Sequence, residues 1–94
     1  MITSTKILVR EKVAEDLALR DSAREFFDVI ESLSTSEVVL DFKDIRSISR
    51  SFAHEYNTLK KMSDKKIKEI NVPQDVKKMF AVVQEHRVKK PVFN

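Results

Sequence analysis

The sequence predicts a small α/β sandwich with a short, mainly parallel sheet, its elements running β-α-β-α-β-α, in a single domain over residues 1–94. Three observations lead there. Val38-Val39-Leu40-Asp41-Phe42 is an apolar run without alternation, the pattern of a strand covered on both faces. Segments with apolar residues at helical spacing lie on either side of it. Strand-like and helical patterns alternate along the whole chain, which argues for parallel strands joined by right-handed crossovers.

Taken in order, Lys6-Ile7-Leu8-Val9 reads as the first strand. Arg10 to Leu19 is ambiguous, because Val13 and Leu17 suit one helical turn in a run too short to decide. Ser22-Ala23-Arg24-Glu25 has the form of a capping box, and Ala23, Phe26, Phe27, Ile30 and Leu33 then follow one helical face. Ser34-Thr35-Ser36 is a turn before the Val38–Phe42 strand. The next helix is expected from about Ser51 to Met62, with Ser51 as its N-cap and Phe52, Tyr56, Leu59 and Met62 in one stripe. A third strand covers about Ile67 to Val72, and Pro73 opens a last helix that buries Val76, Met79, Phe80 and Val83. Pro91 stops that helix. The aromatic and methionine stripes, Phe26, Phe27, Phe80, Met62 and Met79, read as core. Three strands are few, so either a fourth from Arg10–Leu19 or a homodimer is expected to complete the sheet.

Composition excludes much of enzymology. With 41% hydrophobic and 35% charged residues the chain can bury one core and stay in solution. It has no glycine, so P-loops, GxGxxG turns, nucleophile elbows and EF-hand loops are ruled out. It has no cysteine, which rules out disulfides, thiolate metal sites and a cysteine nucleophile. His54 and His86 cannot form HExxH, since Thr58 stands four residues after His54. No apolar run reaches the ~20 residues of a membrane span, and the N-terminal residues do not resemble a signal peptide, so a cytoplasmic location is expected.

Charge is unevenly spread. Residues 1–37 hold five Lys and Arg against eight Asp and Glu, whereas residues 60–94 hold ten against four. The basic third is read first as a solvated face. Its alternative use is weak, salt-dependent nucleic-acid binding through Lys65, Lys66, Lys68, Lys77, Lys78, Lys89 and Lys90, although no aromatic platform interleaves them for base stacking.

The string from Val38 to Ala53 is distinctive: a buried strand ending in Leu40-Asp41-Phe42, a short loop, then Ile48-Ser49-Arg50-Ser51-Phe52 opening a helix. It resembles the STAS-like domain family of unknown function, which is related to the STAS domains of anti-sigma factor antagonists. Leu19-Arg20 and Ile70-Asn71-Val72, with Asp75-Val76-Lys77-Lys78-Met79, agree with that resemblance, which spans Leu19 to Val83. It implies a small α/β domain that regulates by binding other proteins, with a histidine-kinase-like ATPase as a partner class. In STAS domains proper a serine at the start of this helix is phosphorylated. Here that position falls on Arg50, with Ser49 and Ser51 as neighbouring candidate phosphoacceptors.

The predicted function is therefore a non-enzymatic docking module, with no cofactor or metal, that uses the loop and helix start after the central strand. Asp44, Arg46, Ser47, Ser49, Arg50, Ser51 and His54 are the candidate partner-binding residues. The loop leaves the C-terminal end of the central strand, where open α/β sheets place their ligands. Its arginines and hydroxyls would present donors to an acidic or phosphorylated surface. Asp41, Asp44 and Glu55 are the only acids nearby, and no base and nucleophile converge with them.

Overall fold

The computed structural model describes residues 4–88, with side chains as far as residue 84. The elements are β1 (Ser4–Leu8), α1 (Val9–Lys12), β2 (Asp16–Leu17), α2 (Arg20–Ser32), β3 (Glu37–Asp41), β4 (Ser47–Ile48), α3 (Arg50–Met62), β5 (Lys66–Ile70) and α4 (Gln74–Val88). The main sheet has the order β1-β3-β5, all parallel, so the expected α/β architecture holds with β3 at its centre. Pro91, Lys89 and Lys90 lie outside the described residues.

Because the strand order follows the chain order, both right-handed crossovers place their helices on the same side of the sheet. That side carries the buried residues Ile7, Val38 and Leu40, and α2, α3 and α4 cover it. The expectation that β3 is covered on both faces is corrected here. Side chains alternate along a strand, and Val39 shares the opposite face with Lys6 and Lys68, its register partners on either side. Val39 is half-buried, while the two lysine side chains are 64% and 60% exposed.

Tyr56 lies at the centre of the helical layer. Its ring packs edge-on against Phe27 and Phe42 and stacks on Phe52 and Phe80 at centroid separations of 5.0–6.4 Å. Such ring pairs add to the burial of each side chain. The Tyr56 hydroxyl donates to Glu69 of β5, whose carboxylate also accepts from Lys60 at 2.9 Å. Burial first, and Glu69 second, push the Tyr56 hydroxyl well above its ordinary value, so it stays a protonated donor.

Other boundaries differ from expectation. Arg10–Leu19 gives the main sheet no fourth strand: it forms the single turn α1 and then β2, which pairs in parallel with β4 in a separate two-residue ladder. The helix expected to start at a Ser22 capping box starts at Arg20, with Leu19 as an N-cap that makes no side-chain bond. The chain is pinned just ahead of Leu19, where the Leu17 and Ala18 carbonyls both accept from Ser49, so its entry into α2 is set by tertiary bonds. Met62, expected in the core, is 73% exposed at the last residue of α3. Met79 is half-buried, whereas Phe26 and Phe27 are buried. The third strand ends at Ile70, and Pro73 precedes α4, its carbonyl accepting the amide of Lys77 at 2.9 Å.

Candidate functional site

The segment after β3 is built around charges and hydroxyls that find partners one by one. Asp41, the one buried charged residue among those described, ends the strand. Its carboxylate accepts from the Asn71 side chain at 3.0 Å and from the Lys43 amide at 2.9 Å, with Lys6 at 3.7 Å. Those donors, Asn71 foremost, hold its carboxyl below the usual carboxylate value. Asp44 then adopts φ 63°, and Asn71 adopts φ 54° after β5. A glycine-free chain uses Asp and Asn at its left-handed positions, the residues that tolerate them best after glycine. The Asp44 carboxylate pairs with Arg10 at 3.1 Å, and Ile45 tucks into the core.

Arg46 and Ser47 are tied to Asp16 across the β2–β4 ladder. Arg46 donates through Nη2 at 2.8 Å, and Ser47 through its hydroxyl at 2.7 Å. The Arg46 amide also reaches the Glu15 carbonyl at 2.8 Å. The Arg46 guanidinium, ahead of Ser47, draws the Asp16 carboxyl below its ordinary value. Ser49 is half-buried and its hydroxyl is fully committed, donating to the Ala18 carbonyl at 2.7 Å and accepting the Phe52 amide at 3.0 Å. Ser49, not Ser51, is therefore the N-cap of α3. Phosphorylation of Ser49 would remove the hydroxyl hydrogen and with it the bond to the Ala18 carbonyl.

Arg50, Ser51 and His54 remain exposed on the first turns of α3. They line a cleft of about 210 Å³ together with Arg20, the first residue of α2, and Val83 of α4. Arg20 and Arg50 thus each occupy the first position of a helix, where the backbone dipole favours acids. The first turn of α3 contains no acid. Among the described residues neither arginine forms an ion pair. Arg24, one turn further along α2, instead bridges to Glu55 of α3 at 3.1 Å and ties the two helices together.

Of the seven candidate residues, the structure thus brings together Arg50, Ser51 and His54, and turns Asp44, Arg46, Ser47 and Ser49 to internal bonds. Arg20 and Val83 were not among the candidates. A basic residue at the first position of a helix, against the dipole, was the signal that could have pointed to Arg20.

The acids near the loop stand apart from one another. Asp41 bonds Asn71, Asp44 pairs with Arg10, and Glu55 pairs with Arg24. Several lysines of the basic third have internal partners: Lys65 donates to the Leu33 and Thr35 carbonyls at 2.7 and 2.6 Å, and Lys68 pairs with Glu37 at 3.6 Å. Lys66, Lys77 and Lys78 are exposed. No described helix is long and apolar enough to cross a membrane.

No protein-family model, curated protein or solved structure matches this chain.

Proposed function

We propose that the chain is a non-enzymatic regulatory module that docks an acidic segment of a partner protein in the cleft at the start of α3. The observation that carries this reading is the placement of Arg20 and Arg50 at the neighbouring N-termini of α2 and α3, both exposed and both lining one cleft. Two guanidinium forks lining one cleft suit carboxylate or phosphate groups, and burying them in a complex would reward a complementary partner. Ser51 and His54 supply further donors, while Val83 gives the cleft an apolar floor. The Asp16 contacts to Arg46 and Ser47 and the Ser49 cap hold the loop in place, which lowers the ordering cost of binding. The STAS-like resemblance of the same segment supports a protein partner, with a histidine-kinase-like ATPase as the class it implies. In this reading Ser51 is the accessible phosphoacceptor of the pair, and a phosphate there would occupy the cleft and compete with the partner.

The test is affinity capture from the source organism with wild type, Arg50→Glu and Arg20→Glu, all verified as folded by circular dichroism. Either charge reversal removes the same specific partners. A partner list unchanged by both substitutions overturns the docking site, and the lack of any specific protein partner overturns the class.

A further inference from the structure

The arginines of this chain divide by what they pair with. Arg10 meets Asp44 at 3.1 Å, Arg24 meets Glu55 at 3.1 Å and Arg46 meets Asp16 at 2.8 Å. Arg20 and Arg50 are the other arginines with described side chains. Neither pairs with a carboxylate among the described residues, and these are the two that line the α3 cleft. No described acidic side chain lines that cleft with them. Asp21 and Glu55, which follow Arg20 and His54 in the chain, are both drawn to Arg24, at 3.7 and 3.1 Å. Two positive charges therefore share one cleft without an internal counter-charge, and a bound anion relieves their repulsion.

We propose that the cleft reads a phosphorylated side chain of the partner protein, Arg20 and Arg50 each taking oxygens of the same phosphate dianion. This rests on the docking reading above and narrows it from acids in general to phosphomonoesters. A carboxylate brings one negative charge and two oxygens, which a single guanidinium fork satisfies. A phosphomonoester brings nearly two charges and three terminal oxygens, enough for both forks. Ser51 and His54 line the same cleft and offer donors to the oxygens left over. A phosphodiester, the group along a nucleic-acid backbone, has one charge and two free oxygens, and so resembles the carboxylate. The cleft volume of about 210 Å³ lies below the roughly 300–1,000 Å³ of sites that enclose a drug-sized ligand, which suits one small head group.

The experiment titrates isotope-labelled chain with three analogues: N-acetyl-phosphoserine amide, its methyl phosphodiester and N-acetyl-glutamate amide. Slightly alkaline buffer keeps the monoester a dianion. The monoester shifts the side-chain Nε–H resonances of Arg20 and Arg50 and the amide of Ser51, and binds about fivefold more tightly than the glutamate analogue, the worth of one further surface ion pair. The diester binds like glutamate. Arg20→Gln or Arg50→Gln leaves one fork, so the monoester loses most of its advantage while glutamate loses less. In affinity capture, dephosphorylating the lysate, with the phosphatase inhibited before the chain is added, abolishes recovery of the partners that Arg50→Glu loses.

Equal binding of the glutamate analogue and the monoester, a diester as tight as the monoester, or partners that survive dephosphorylation overturns the phosphate inference and leaves the docking of acids standing. The absence of shifts with every analogue at millimolar concentration also overturns the phosphate inference alone. Partners unchanged by both charge reversals overturn the docking reading and this inference with it.

Discussion

The hydroxyl of Ser49 accepts the Phe52 amide at 3.0 Å and so closes the first turn of α3 from a position one residue outside the helix. The same oxygen donates to the Ala18 carbonyl at 2.7 Å, so one side chain both caps the helix and joins it to the segment leading into α2. Helix start and inter-segment clasp are therefore a single structural unit, and the exposed Arg50 and Ser51 are carried on it.

Ser49→Ala loses the cap and the tie, and is expected to destabilise the chain by about 1–2 kcal/mol. Ser51→Ala, on the exposed side of the same turn, is expected to stay within about 0.5 kcal/mol. Equilibrium urea denaturation distinguishes the two, and equal effects would refute the assignment of Ser49 as the cap.

The one-sided sheet predicts unequal costs for neighbouring residues of β3. Leu40→Ala empties a fully buried position and should cost about 2–5 kcal/mol. Val39→Ala, on the face without helices, should cost about 1 kcal/mol. Similar losses in thermal or chemical melts would mean that both faces are covered.

Asp16 and Asp41 both have carboxyls lowered in the folded chain, Asp16 by Arg46 and Asp41 by Asn71. Folding thus favours their ionised forms, and that contribution is fully present above the ordinary value of 3.8. It is lost as pH falls from there through the lowered folded values. Asp41→Asn should flatten the loss of stability below about pH 4 as followed by denaturation at stepped pH, an effect centred on the ordinary aspartate range.

Tyr56 behaves in the opposite sense. Its hydroxyl is raised above the ordinary value of 10.0, so its contribution is complete below that pH and declines as pH rises towards the folded value. Tyr56→Phe should cost about 1–2 kcal/mol near neutrality through the lost bond to Glu69. It should also remove part of the alkaline decline, which stability curves between neutral and strongly alkaline pH will show.

What could be read from the sequence follows from how locally each element is determined. β3 and α3 were legible as elements because of a continuous apolar run and the Phe52-Tyr56-Leu59 spacing, although the run overstated the burial of Val39. β2 was not, since a two-residue strand has no period and exists only through its pairing with β4, some thirty residues away. The cap was misplaced by two residues because Ser49 and Ser51 are locally equivalent, and only the Ala18 carbonyl distinguishes them. At the candidate site, Arg50, Ser51 and His54 were visible as helix-start residues, whereas Arg20 joins them only once α2 lies beside α3. Met62 continued the helical stripe of α3, but at the last residue of that helix it lines an open cleft beside Phe27, Asp28 and Glu31 of α2 and stays exposed.

The match between strand order and chain order has a consequence for synthesis. Each new strand joins the edge left by the preceding one, so the sheet can be laid down in the direction in which the chain leaves the ribosome. A nascent chain ending at α3 already holds the parallel β1–β3 pair and both crossover helices. It still lacks Glu69 and Phe80, the hydrogen-bond acceptor and the stacking ring of Tyr56, so arrival of the last βα unit is the step that seals the core.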